Sequence, residues 1–207
     1  MTAVSGRTRV GGSAPARRAP YDATSLLDVV VRVFNERGYD GTSMEDLAHA
    51  AGISKSSFYH HVDGKEALLA AACERALSAL SAIRDEPLSR SGPAVSRFEH
   101  VLRRTAEALL AELPYVTLLL RVRGNTATEK RALERRRDFD RFVANLVTQA
   151  VSDGDLRADI DPLLATRLSF GMVNSVVEWY RPGRASAAEV VDGAVELALR
   201  GLRATPV

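Results

Sequence analysis

The 207-residue sequence predicts an all-α fold, with a small N-terminal three-helix unit followed by a larger helical domain. Three observations carry this. Apolar residues recur at three- and four-residue spacing between Asp22 and Arg203, with no sustained alternation of the strand kind. Gly38, Gly52 and the pair Asp63-Gly64 cut the first third of the chain into short helical segments. Between them, Thr42 to Lys65 reads as two short helices around a glycine turn and the start of a third, the layout of a helix-turn-helix that enters the major groove of DNA.

Residues 1–20 are rich in Gly, Ser, Ala and Pro and hold Arg7, Arg9, Arg17 and Arg18 without one acid, a flexible basic arm that is either an idle tail or a phosphate-seeking extension. From 21 to 68 runs the helix-turn-helix unit. Its first helix places Leu26, Leu27, Val30, Val33 and Phe34 on one face, starts near Asp22 or Thr24 and stops at Gly38. Ser43 caps the second helix, with Asp46 as the capping-box acid, and Gly52 supplies the left-handed residue that ends it. Ser54 caps the third, which turns Phe58, and Val62 just past its end, inward. Residues 69–207 form the second domain. A long helix from Lys65 to Ile83 leads into it, Pro87 to Pro93 is a polar connector, and five more helices follow: Ala94 to Glu112, Pro114 to Val122, Thr126 to Asp153, Pro162 to Trp179 and Ala187 to Arg203.

Composition narrows the function classes. A formal charge of +2 does not mark a nucleic-acid binder, so any basic surface must come from local clustering. Cys73 stands alone, which excludes an internal disulfide and a cysteine-based zinc site and fits a cytoplasmic protein. No apolar run is long enough for a membrane span, and the polar start lacks a signal-peptide core. The four histidines, His49, His60, His61 and His100, have no metal-ligand spacing, and neither a glycine-rich phosphate loop nor a nucleophile elbow appears. No enzyme, cofactor or metal is expected.

A recognition helix needs outward residues short enough to enter the groove and polar enough to meet base edges. Ser54, Lys55, Ser56, Ser57, His60 and His61 satisfy this, while Tyr59 and His60 at the helix end suit phosphate oxygens. Thr42 or Ser43 offers a hydroxyl and a helix N-terminus to another phosphate, and Lys65 is a further anchor.

These residues resemble the TetR family of bacterial regulators. The likeness runs from about Leu26 through Phe34, Arg37-Gly38-Tyr39-Asp40-Gly41-Thr42-Ser43, Leu47-Ala48, Ala51-Gly52-Ile53-Ser54-Lys55-Ser56-Ser57-Phe58-Tyr59-His60-His61-Val62 and Lys65-Glu66-Ala67-Leu68-Leu69, and departs at Val62, where the family more often has an aromatic residue. The resemblance implies an all-helical homodimer that binds an operator in double-stranded DNA and is released by a small-molecule effector. By position it implies backbone contacts for Thr42, Lys55, Tyr59, His60 and Lys65, and places Ser54, Ser56 and Ser57 on the face that meets bases.

The second domain gives weaker signals. Arg121, Arg123, Lys130, Arg131, Arg135, Arg136 and Arg137 face only Glu129 and Glu134, a density that suits either an anionic ligand or a solvated, ion-paired helix face. The segment Gly171 to Gly183 resembles regulators that sense acyl- or arylacetyl-coenzyme A thioesters. That likeness implies an apolar pocket for the acyl part and basic residues for the phosphates, with Arg121, Arg123, Asn125, Met172, Asn174, Trp179 and Tyr180 as candidates. Trp179 and Tyr180 suit a dimer interface as well. Leu164, Leu168, Met172 and Val176, with Val191, Val195, Ala198 and Leu202, give two apolar stripes for a four-helix dimer contact or for the chain's own core.

Overall fold

The structure is a computed structural model that describes residues 23–204; the basic arm expected at 1–20 and the cap expected at Asp22 lie outside the described residues. Among the described residues there are ten α-helices and no strand beyond two isolated bridges. The N-terminal unit comprises α1 (Ala23–Arg37), α2 (Met44–Ala51) and α3 (Lys55–His61), and α4 (Lys65–Asp85) leads out of it. Then come α5 (Pro87–Arg90), α6 (Ala94–Ala111), α7 (Leu113–Arg121), α8 (Ala127–Ser152), α9 (Pro162–Trp179) and α10 (Ala187–Leu202).

The boundaries follow local chemistry. Ser43 and Asp46 close a reciprocal capping box on α2, as do Thr126 with Glu129 on α8 and Ser186 with Glu189 on α10. Asp161 caps α9 immediately before Pro162, whose missing N–H is harmless in a first turn. Gly52 ends α2 at φ 69°, a conformation that places its N–H on the Ala48 and His49 carbonyls. The connector at 87–93 is less irregular than expected. It contains the single turn α5, which is pinned because the buried Ser89 hydroxyl donates to the Ile83 carbonyl at 2.6 Å.

Two apolar cores result. The first joins α1 to α4 through Val30, Phe34, Leu47, Phe58 and Leu69, and it also takes in Tyr115, Leu118 and Leu119 of α7. The second is built on Phe98 and Leu102 of α6, Val143 and Val147 of α8, Val173 of α9 and Val195 of α10. Helix α4 runs through both, with Leu69 and Leu77 in the first and Ile83 in the second. Helix α7 therefore belongs to the second domain in sequence and to the core of the N-terminal unit in space. Among the described residues, no helix is long and apolar enough to cross a membrane.

Candidate nucleic-acid interface and effector cavity

Helix α3 has only seven residues, too few to stand alone, and is held by the fully buried Phe58. That one inward ring turns the rest of the helix outward. Ser54, Lys55, Ser56, Tyr59 and His60 are exposed, Tyr59 to 50%, and Ser57 is half-buried. The Ser54 hydroxyl accepts from the Ser57 N–H at 3.2 Å and lies 3.1 Å from the Ser56 hydroxyl, so the N-terminus of α3 presents a small polar edge. Lys55 approaches Glu45 of α2 at 3.7 Å, an exposed pairing that salt or a phosphate displaces at little cost. The His61 side chain lies outside the described residues.

Two of the expected anchors do something else. Thr42 is buried, at 2% exposure, and its hydroxyl donates to the Gly38 carbonyl at 2.7 Å, so it has none to offer a phosphate. Lys65 turns back into the protein: its ammonium donates to the Tyr39 and Thr42 carbonyls, each at 2.9 Å, and sits 4.4 Å above the Tyr39 ring. The physical reason lies in its position. At the first residue of α4 a cation meets the positive end of the helix dipole, and the two loop carbonyls offset that repulsion. Lys65 thus clamps the loop that starts α2. Ser43 remains exposed, but its hydroxyl is engaged by the capping box, and hydrogen bonds from Ser43, followed by the Arg37 charge, hold the Asp46 carboxyl below its ordinary range.

The join between the domains is polar and specific. Tyr115 of α7 donates its hydroxyl to Asp28 of α1 and accepts from Arg75 of α4 at 3.1 Å, while Arg75 lies 4.2 Å over the Tyr115 ring and pairs with Glu112 at 2.8 Å. The Asn35 amide donates to the Pro114 carbonyl at 2.8 Å, and Arg121 donates to the Asn35 carbonyl at 2.7 Å. Beside this join opens a cleft of about 620 Å³ that includes Arg37, Tyr39, Arg121, Arg123 and Asn125. In it the Asn35 Oδ1 is buried without a hydrogen-bond partner.

On the other side of α7 is a separate cavity of about 50 Å³, walled by Leu80, Leu109, Val116, Leu119, Phe139 and Phe170. Leu120 lines both the cavity and the cleft. Of the expected ligand residues only Asn174 faces the cavity, and Arg121, Arg123 and Asn125 line the cleft. Met172 packs half-buried against the second core, Tyr180 lines a shallow groove beside Arg103 and Asp192, and Trp179 is 54% exposed with its indole N–H on the Ser175 hydroxyl at 3.3 Å. None of these three lines the cavity, because α9 turns its 173/176 face inward and they lie on its flank or at its end.

The arginine cluster likewise disperses around α8. Arg135 pairs with Glu74, Arg131 donates to the Thr128 hydroxyl at 3.1 Å, and Arg136 enters the cavity with Asp140 one turn on. Those last two are the residues that sequence reasoning missed as a pair. The available signal was a charge at 136 interrupting an apolar face that continues through Ala132, Phe139 and Val143.

The expected dimer stripes are corrected in part. Val176, Val191, Val195, Ala198 and Leu202 are buried in the chain's own core. Outward on α9 lie Leu164, Leu168, Gly171, Ser175 and Trp179, and on α10 Gly193, Leu197 and Gly201, with Leu168 61% and Leu197 68% exposed. A Cβ added to any of the three glycines would meet nothing within 4 Å, so no contact inside the chain requires glycine there. Mid-helix glycine costs about 1 kcal/mol relative to alanine, and no contact inside the chain offsets that cost at these three positions.

Comparison with known proteins agrees with this architecture at both ends of the chain. Residues 26–72 match the bacterial regulatory proteins of the tetR family, and residues 91–202 match the tetracyclin repressor-like C-terminal domain. The HTH-type transcriptional repressor KstR2 of Rhodococcus jostii (strain RHA1) is 30% identical over 171 residues, covering 81% of this chain and 84% of that protein. Among solved structures, SCO3833, a TetR-family regulator from Streptomyces coelicolor A3, is 62% identical with a TM-score of 0.81, covering 86% of this chain and 90% of that one. AibR in complex with isovaleryl coenzyme A and operator DNA is 26% identical with a TM-score of 0.69, covering 84% and 96%. The chain belongs to the TetR family of bacterial transcriptional regulators.

Proposed function

We propose that this chain is a homodimeric repressor that holds a near-palindromic operator through α3 and lets go when an acyl- or aryl-coenzyme A thioester binds between α4 and the α6–α9 bundle. Family members are regulators and not enzymes, and they bind operator DNA as dimers with small-molecule effectors. Ser54, Ser56 and Ser57 are assigned to base edges, and Ser43, Lys55, Tyr59 and His60 to the backbone. Thr42 and Lys65 act behind them by fixing the loop before α2.

One observation carries the release mechanism. Helix α7 lines the cavity through Val116, Leu119 and Leu120, and the same helix is bonded to α1 through Tyr115, Pro114 and Arg121. A cavity of about 50 Å³ holds a few waters. Ligand pockets run from about 300 Å³ upward, so an acyl group enters only by moving a wall. If that wall is α7, α1 moves with it and the spacing of the two recognition helices changes. The effector shifts the equilibrium only by its differential affinity for the two arrangements. A thioester suits the site because Leu120 separates a mostly apolar cavity from a cleft with Arg37, Arg121 and Arg123 at hand for phosphates.

The test is a thermal-shift panel of coenzyme A thioesters, free coenzyme A and free aromatic and aliphatic acids, followed by operator titration with any hit. A thioester is expected to raise the melting temperature and weaken operator binding, and R121A/R123A to lose the advantage of thioester over free acid. Operator affinity that no thioester changes would sink the effector assignment and leave the DNA function standing.

A further inference from the structure

The cavity beside α7 is apolar except for Thr105 of α6, whose hydroxyl already donates to the Val101 carbonyl at 2.7 Å, and three further side chains, Arg136 and Asp140 from α8 and Asn174 from α9. The hydrogen-bonding capacity of these three is nearly unused. Among the described residues, the Asp140 carboxyl and the Asn174 amide make no hydrogen bond, and Arg136 makes one long bond of 3.4 Å to the Leu119 carbonyl of α7. Arg136 and Asp140 attract one another without forming a contact ion pair. Burial pulls the guanidinium below its ordinary range and pushes the carboxyl above its own, with Arg136 and Arg167 acting against that rise.

A hydrocarbon chain in such a cavity would bury a guanidinium, a carboxyl and an amide against CH₂ groups, which costs free energy for each group left unpartnered. A hydroxyl does the reverse, since it donates one hydrogen bond and accepts others. We propose that Arg136, Asp140 and Asn174 form a recognition site for a hydroxyl carried on the effector's acyl or aryl part, so that this regulator answers to hydroxylated thioesters in preference to their plain parents. This rests on the thioester reading above. It also supplies a route to release: a ligand oxygen that engages Arg136 competes with the Leu119 carbonyl, the guanidinium's one hold on α7.

The experiment uses the full chain and matched probes, namely hexanoyl-, 3-hydroxyhexanoyl- and 6-hydroxyhexanoyl-coenzyme A, and phenylacetyl- with 4-hydroxyphenylacetyl-coenzyme A, measured by calorimetry. At least one hydroxylated member is expected to bind about tenfold or more tightly than its parent, the value of one hydrogen bond to a charged group. D140L is expected to reduce that preference to about twofold or less while keeping or raising the melting temperature, because it removes a half-buried carboxyl that makes no hydrogen bond. Parity between every hydroxylated thioester and its parent overturns the hydroxyl site and leaves the thioester reading intact. Failure of all five to bind overturns both. A fall in the melting temperature of D140L by more than about 5 °C marks the carboxyl as structural and also overturns the site.

Discussion

Replacing Tyr115 with phenylalanine removes one oxygen from the join between α1, α4 and α7, and its consequences can be sized. The hydroxyl donates to Asp28 and accepts from Arg75 at 3.1 Å. Burial, followed by the hydrogen bond to the Asp28 carboxylate, holds the phenol protonated far above its ordinary range, so this donor is present at any working pH. In the variant Arg75 keeps Glu112 at 2.8 Å and an aromatic ring beneath it, and Asp28, whose side chain is 58% exposed, returns to water. What is lost is two charge-assisted bonds, one to Asp28 and one from Arg75, both discounted because Asp28 is solvated and Arg75 keeps Glu112, hence about 1–2 kcal/mol. For a chain of this size that is a fall of about 2–8 °C in melting temperature by scanning fluorimetry. The same 1–2 kcal/mol bounds the loss of operator affinity in a fluorescence-anisotropy titration at about 5–30-fold. A Tyr115→Phe protein with unchanged melting temperature and unchanged operator affinity would refute the claim that this join sets the position of α1.

Three further outcomes are expected. Lys65→Met should lower stability by about 1–3 kcal/mol, because two loop carbonyls lose their charged donor, yet leave the salt dependence of operator binding nearly unchanged, whereas Lys55→Ala should flatten that salt slope by about one unit. The reverse pattern would restore Lys65 as the phosphate anchor. Gly52→Ala places a Cβ at φ 69° and should cost about 1–2 kcal/mol in chemical denaturation with operator binding impaired, and an unperturbed midpoint would contradict the turn geometry. Leu168→Glu and Leu197→Glu put charges on the outward faces of α9 and α10 and should give monomers in light scattering that keep their helical spectrum; dimers of wild-type mass would remove these helices from the interface.

The contrast between the two halves of the chain has a physical origin. Capping boxes, the left-handed Gly52 and the helix faces depend on neighbours three or four residues away, and so they are legible in order. Helix α5 is a single turn, too short for periodicity to register, and its anchor is a tertiary bond from Ser89 to α4. Lys65 reads as an anchor until the Tyr39 and Thr42 carbonyls, more than 20 residues earlier in the chain, are brought beneath it. Of the arginines between 121 and 137, sequence alone does not say which points inward; α8 packs against α4, α6 and α9, and that packing selects Arg136. Trp179 and Tyr180, expected from the resemblance of their segment, lie at the end of α9, beyond its reach into the cavity.

The most direct test of coupling through α7 is a reciprocal titration. Operator affinity is measured with and without a saturating thioester, and thioester affinity with and without operator, on the same dimer. Coupling requires both affinities to fall by the same factor, since linkage is symmetric. That factor should shrink in Tyr115→Phe. A thioester that binds tightly while operator affinity stays constant would show that the cavity and α3 do not communicate.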